Sequence, residues 1–279
     1  MIAFVVIVLV ASTIAGFVGA LAGLGGGVLV VPLLTLGFGV DIRYAIGASI
    51  VSVIATSSGA AAAYVRDRIT NLRVGMFLEL ATTTGAITGA LVAGLVNPAI
   101  LYVVFGLALA VSVVPLAAHL GEELPVNVTN DQWADRLRLG SSYEDAVLGR
   151  TVTYQVTHVP AGLAMMWLAG LISGLLGIGS GTFKVLAMDV AMRLPVKVST
   201  TTSNLMIGVT AAASAGIYFA RGDVNPLIAA PVALGGLLGA GLGSRSLVRL
   251  SNRMVRIVFI PILVAVSTEM LLRGLGVGL

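Results

Sequence analysis

The sequence predicts an all-α polytopic membrane protein made of two homologous halves, arranged as inverted repeats whose first helices are broken by glycine. Three observations carry that expectation. The 279-residue chain is 58% hydrophobic and 10% charged, with a mean hydropathy of +1.05, whereas soluble domains carry about 25% charged residues. Its apolar runs are continuous and far longer than the roughly 10 residues of a barrel strand, so they read as helices. Residues 16–71 recur, without a gap, as residues 170–225, a shift of 154 positions. Gly16, Gly23, Gly25 and Gly27 fall on Gly170, Gly177, Gly179 and Gly181. Ser49, Thr56, Tyr64 and Asn71 fall on Ser203, Thr210, Tyr218 and Asn225, and the register continues from Gly85 and Gly89 to Gly239 and Gly243.

Taken in order, residues 2–40 carry no charge, and a run of that length exceeds one span of about 20 residues. It breaks at Gly23, Gly25, Gly26 and Gly27, ahead of Pro32. Residues 44–65, 74–96 and 98–118 follow as spans. The second half gives 156–194, broken between Gly177 and Gly181, then 198–220, 226–247 and 254–272. Between the halves, residues 119–155 form the long polar stretch, with Glu122, Glu123, Asp131, Asp135, Glu144 and Asp145 against Arg136, Arg138 and Arg150. Residues 131–139 suit a short helix. The alternation from Thr151 to Val156 suits one strand of a small hairpin over 141–156. The expected division is a first repeat over 1–118, a cytoplasmic linker subdomain over 119–155 and a second repeat over 156–279.

Orientation follows from arginine and lysine. If each opening segment crosses an even number of times, the loop from Arg66 to Arg73 shares a side with Arg193, Lys197, Arg245, Arg249, Arg253 and Arg256. Only Arg43, Arg221 and Arg273 then lie opposite. A single crossing would instead put the two basic clusters on opposite sides, so the positive-inside rule favours inversion and a multi-pass plasma-membrane protein. The N-terminus opens apolar without a basic region and is read as a retained first helix. The net charge of +4 is therefore attributed to orientation in the bilayer, and no nucleic-acid partner is expected.

Backbone that leaves the helix at membrane depth must be buried in protein or line a cavity. Gly25, Gly26 and Gly27, with Gly179, Ser180 and Gly181, are accordingly expected where two helices end inside the membrane. A half-helix starting there would offer free N–H groups to an anion; the competing reading is close helix packing. Hydroxyls follow each break. Ser49, Ser52 and Thr56 share one helical face, and Thr201, Ser203 and Asn204 lie in the second half. They are candidate substrate ligands, or hydroxyls bonded back to their own helix. Lys184 stands in an apolar run, aligned with Val30. A charge at mid-bilayer costs about 2.5–3.5 kcal/mol on insertion scales, so it is expected to bind an anion, pair with Asp189 or Glu79, or snorkel to the interface. Glu79, aligned with apolar Ala233, is the candidate proton carrier.

The absence of cysteine removes disulfides, thiolate metal sites and cysteine nucleophiles. With two histidines, no metal and no cofactor are expected. No G-x4-G-K-[ST] motif occurs, so the driving force is expected from a gradient or a partner. An intramembrane hydrolase would need Ser180 paired with His158, and Ile178 spoils the motif, so no catalytic residue is assigned.

The glycine motif from Gly23 to Gly27, the following Ala48-Ser49 helix and the Gly174–Gly181 motif resemble the sulfite exporter TauE/SafE family. So does the central Leu137-x3-Ser141-x-Tyr143-x-Asp145 run with Gly149-Arg150-x-Val152-x-Tyr154. The resemblance covers nearly the whole chain. It implies a duplicated helical transporter of a small sulfur-containing or organic anion such as sulfite, thiosulfate or a sulfonate, with an anion channel as the alternative. Within that pattern Ser180 stands where glycine is usual. The expected partners are the small anion and the lipid bilayer, with a homo-oligomer left open.

Overall fold

A computed structural model describes residues 2–22, 26–66, 69–118, 124–125, 128–145, 149–247 and 252–277. The first half comprises α1 (Ile2–Ala22), α2 (Gly27–Pro32) running into a π-helical turn (Leu33–Gly37), α3 (Ile42–Arg66), α4 (Leu72–Leu95) and α5 (Pro98–Ala118). The second comprises α7 (Val159–Leu176), α8 (Gly181–Leu186) running into a π-helical turn (Ala187–Ala191), α9 (Val196–Ala220), α10 (Pro226–Leu247) and α11 (Asn252–Gly274). The 154-position shift carries α2, its π-helical turn and α3 onto α8, its turn and α9 at both ends. Among the described residues, four helices, α4, α7, α9 and residues 226–243 of α10, are long and apolar enough to cross a membrane by length and composition.

Helix starts follow from local chemistry. Asn71 caps α4, its Oδ1 accepting the Val74 N–H at 3.1 Å. Its repeat partner Asn225 does the same for α10, accepting the Leu227 N–H at 3.0 Å. Such side-chain acceptors satisfy N–H groups that the helix leaves orphaned. The π-helical turns have no common sequence cause, since Pro32 in the first half aligns with Leu186 in the second.

The strongest packing lies between the halves. α1 packs on α10 and α4 on α7, while α3 meets α9 and α5 meets α11. Gly235 and Gly239 of α10 lie against Leu9 and Thr13 of α1, so those helices run in the same direction. Gly170 and Gly174 of α7 lie against Thr82 and Ala86 of α4, again in the same direction. A Cβ at Gly170 would overlap the Thr82 carbonyl, which is why the two backbones approach only with glycine there. α5 and α11 run oppositely: Gly274 meets Ala99 and Val103, while Gly106 meets Ser267 and Leu271. Ser267 Oγ donates to the Gly106 carbonyl at 2.8 Å.

The polar stretch between the halves folds as expected, into α6 (Gln132–Leu137) and an antiparallel hairpin of β1 (Ser141–Asp145) and β2 (Arg150–Tyr154). Asp131 caps α6 through one oxygen, accepting from Ala134 N at 2.7 Å, and α7 through the other, accepting from Val159 N at 2.7 Å. Ala134, Leu139, Tyr143, Val152 and Tyr154 bury themselves against the ends of α4, α7 and α9. Asn71 anchors this unit: its Nδ2 donates to the Leu139 carbonyl at 2.8 Å and to Tyr154 Oη at 2.9 Å. Burial raises the Tyr154 phenol above its usual pKa, so it stays a neutral hydrogen-bonding group. Lys197 of α9 pairs with Asp145 at 2.9 Å.

The basic side chains sort to two ends. Arg73 donates to the Arg138 carbonyl beside the hairpin, near Lys197. At the far end Arg43 reaches the Val96 carbonyl, Arg221 reaches Ala90, and Arg273 reaches Thr35. Glu122, Glu123 and Arg249 lie outside the described residues, as do the side chains of Arg66, Arg245, Arg253 and Arg256.

Replacing Asn71 by alanine should destabilise the protein. It leaves Val74 N–H without its cap and removes both bonds to the hairpin unit, and each orphaned buried polar group costs about 1–3 kcal/mol. Limited proteolysis between residues 119 and 155 should accelerate in the variant; an unchanged cleavage rate would remove Asn71 as the anchor.

Candidate functional site

The second break is built by three left-handed residues. Gly177 (φ +67°) terminates α7, Gly179 (φ +74°) follows, and Ser180 (φ +45°) precedes α8. In the first break Gly23, Leu24 and Gly25 lie outside the described residues; Gly26 and Gly27 are buried and lead into α2. The two breaks come together. Gly27 packs against Val53, Ser49 and the Gly177 carbonyl, and Gly179 packs against Val53 of α3 and Ile207 of α9.

Ser49 joins them. Its Oγ donates to the Gly177 carbonyl at 2.8 Å, with the Gly27 carbonyl at 3.4 Å. In the second half Ser203 Oγ donates to the Gly181 carbonyl at 3.1 Å. A hydroxyl has one proton, so each of these serines spends its proton on a carbonyl at the helix breaks, and offers a ligand only its oxygen. Ser52 Oγ lies 3.4 Å from the Val232 carbonyl of α10. Thr56 bonds back to the Val53 carbonyl at 3.2 Å, and Thr201 to that of Lys197 at 3.0 Å, as hydroxyls in membrane helices commonly do. Two candidates stay uncommitted. Ser180 is 2% exposed and its Oγ has no hydrogen-bond partner among the described residues. Asn204 is 8% exposed on α9, close in sequence to Ser203.

Lys184 is fully buried, so it does not snorkel. Its Nζ donates to Thr210 Oγ1 at 2.5 Å. Thr210 Oγ1 in turn donates to Glu79 Oε1 at 2.6 Å, with the Met206 carbonyl as a second acceptor at 2.8 Å. Thr83 Oγ1 donates to the same Glu79 oxygen at 3.2 Å. Glu79 is 8% exposed, and its Oε2 is buried without a partner among the described residues. The ammonium from α8 and the carboxylate from α4 are thus bridged by one hydroxyl of α9, across the boundary between halves. The repeat-equivalent positions hold Val30, Thr56 and Ala233, without charge. Sequence reading placed Lys184 and Glu79 but saw Thr210 only as the match of Thr56. The signal was a polar position conserved within the repeat whose neighbours differ in charge.

Elsewhere, Asp189 sits partly exposed in the second π-helical turn. A cleft lined by Arg150, Thr153, Gln155 and Arg193 opens at the hairpin end, away from the breaks. Among the described residues, no three histidines, aspartates or glutamates gather as a metal site would require.

A bundle of apolar helices, duplicated along the chain and carrying a buried lysine and glutamate bridged at its seam, defines a multi-pass membrane protein. A sequence model described as "Sulfite exporter TauE/SafE" matches residues 8–270, and the chain belongs to that family. It is 27% identical over 277 residues to the "Probable membrane transporter protein YunE" of Bacillus subtilis (strain 168), spanning 97% of this chain and 98% of that one. It is 28% identical over 263 residues to a "Probable membrane transporter protein" of Xylella fastidiosa (strain Temecula1 / ATCC 700964), spanning 93% and 92%. No solved structure matches the chain.

Proposed function

We propose that the protein is a secondary transporter of a small sulfur-containing anion (sulfite, thiosulfate or a sulfonate) in the plasma membrane, working by alternating access between two inverted repeats. The observation that carries the anion is Lys184, a fully buried ammonium on the short helix that starts at the second break. An intramembrane charge of this kind marks a substrate or ion pathway. Ser180 and Asn204 would add neutral donors, with backbone at Gly25, Gly26, Gly27, Gly179 and Gly181. Ser49, Ser52, Thr56, Thr201 and Ser203 would contribute oxygens. The sulfur class comes from the family description.

Inversion is supported by helix direction. An axis lying in the membrane plane requires α5 and α11, equivalent helices, to run oppositely, and, where the opening segment turns back before α3, requires α1 to run with α10. Both arrangements occur. The basic residues at the hairpin end support a cytoplasmic position for that unit. Because the chain has no native cysteine, single-cysteine labelling is clean: Ser142→Cys should react only from the cytoplasmic face and Asp223→Cys only from the other. Labelling of both from one face would overturn the orientation.

Binding is tested by thermal shift and transport by labelled exchange in proteoliposomes. A ligand present at 100 times its Kd should raise the unfolding free energy by about 2.7 kcal/mol. Saturable counterflow would mark a carrier, and non-saturating flux a channel. If sulfite, thiosulfate and methanesulfonate neither shift stability nor exchange, the substrate class is wrong.

A further inference from the structure

We propose that Glu79 is an internal counter-ion which the substrate displaces from Lys184, so that each anion bound at Lys184 brings one proton with it. This rests on the reading of the chain as an anion transporter and specifies how that transporter is driven.

The argument begins with charge. An ammonium with no exposed surface needs a compensating charge close by. Glu79 supplies it through Thr210. α7 contains no ionisable side chain. On α9, Lys197 is committed to Asp145 at the hairpin end, and Tyr218 gives its hydroxyl to the Gly174 and Leu175 carbonyls. On α4 itself the other charge is Arg73, which reaches the Arg138 carbonyl. Among the described residues, Lys184 of α8, reached through Thr210 of α9, is therefore the cation that compensates Glu79. A second anion at Lys184 would place two negative charges against one positive charge in a dry site, unless Glu79 is neutralised.

The geometry around Thr210 supplies the switch. Its single hydroxyl proton has two acceptors already in place, Glu79 Oε1 at 2.6 Å and the Met206 carbonyl at 2.8 Å. Glu79 Oε2 is buried without a partner among the described residues, which leaves it open to a proton. When Oε2 takes a proton from the aqueous side, the carboxyl becomes neutral and the Thr210 proton turns to Met206. Lys184 is then left with its charge uncompensated and an anion takes the place of the carboxylate. Before the step the site holds Lys⁺ and Glu⁻; after it, Lys⁺, the anion and neutral GluH. Net charge is unchanged, so a monovalent anion moves with one proton and without net current. The first half cannot perform this step, because Val30 and Ala233 stand where Lys184 and Glu79 would be. One coupled site per chain follows.

The test uses the full chain with methanesulfonate and thiosulfate, anions of strong acids that carry no titrating proton of their own near neutrality. Calorimetry on wild-type protein in buffers of different ionisation enthalpy should return about one proton taken up per methanesulfonate bound. Affinity should fall by about tenfold per pH unit on the alkaline side. In proteoliposomes an inward proton gradient should drive accumulation of labelled anion. Glu79→Gln should keep anion–anion exchange, lose gradient-driven accumulation and bind with flat pH dependence. Binding by wild-type protein with no proton uptake overturns the proposal, whether or not the variant folds. So does a Glu79→Gln protein that accumulates anion as the wild type does. A wild type that neither binds nor exchanges methanesulfonate, thiosulfate or sulfite overturns the anion reading itself, and this inference with it.

Discussion

Lys184→Met should lower the unfolding free energy by about 3–5 kcal/mol, the usual cost of leaving one member of a buried pair without the other. The stranded group is Glu79, 8% exposed, with Thr210 and Thr83 as its remaining donors. Adding Glu79→Gln to the same protein should return most of that loss, because a neutral amide can still accept from Thr210. Neither the single nor the double variant should bind anion. The measurement is a double-mutant cycle of thermal or denaturant stability in detergent, read beside the ligand-induced shift. Additive losses would mean that Lys184 and Glu79 do not interact through Thr210. Full anion binding by the double variant would remove Lys184 from the site.

The second large effect lies in the packing between halves. Gly174→Val should prevent stable assembly, because any Cβ there overlaps the Ala86 carbonyl of α4. Overpacking against side chains costs about 1–3 kcal/mol because they can move. Here the obstacle is backbone, so α4 and α7 would have to separate along their length. Gly216→Val on α9 is the control: a Cβ there meets nothing within 4 Å. Size-exclusion profiles and thermal midpoints of the two variants should separate widely. Equal behaviour would mean that α4 and α7 do not approach through this glycine.

Much of the scaffold was legible because its signals are local or periodic. Pro98 and Pro226 mark helix starts, and the expected spans beginning there end at Ala118 and Leu247 as observed. The alternation in 151–156 gave the hairpin, and glycine spacing located both breaks. The contrast between Arg73 with Lys197 and Arg43 with Arg221 anticipated the two ends. The π-helical turns were not legible, since Pro32 and Leu186 share no property that would unwind a helix. The candidate site was read in part. A serine that binds a ligand and a serine that holds a broken backbone look identical in sequence, and only the distances at Ser49 and Ser203 assign their protons. Lys184 was conspicuous by charge and Glu79 by context. Their link through Thr210 depends on three helices meeting in space, which no spacing along the chain encodes.

The interleaving of the halves also fixes an order of events. α1 is made well before its main partner α10, and α5 waits for α11. Until the last helices emerge, the early ones rest in lipid with their small-residue faces open. The fold is therefore sealed late in synthesis, and neither repeat is a smaller working version of the whole. Duplication gave this chain two copies of one plan, but the copies are clasped so that each completes the other.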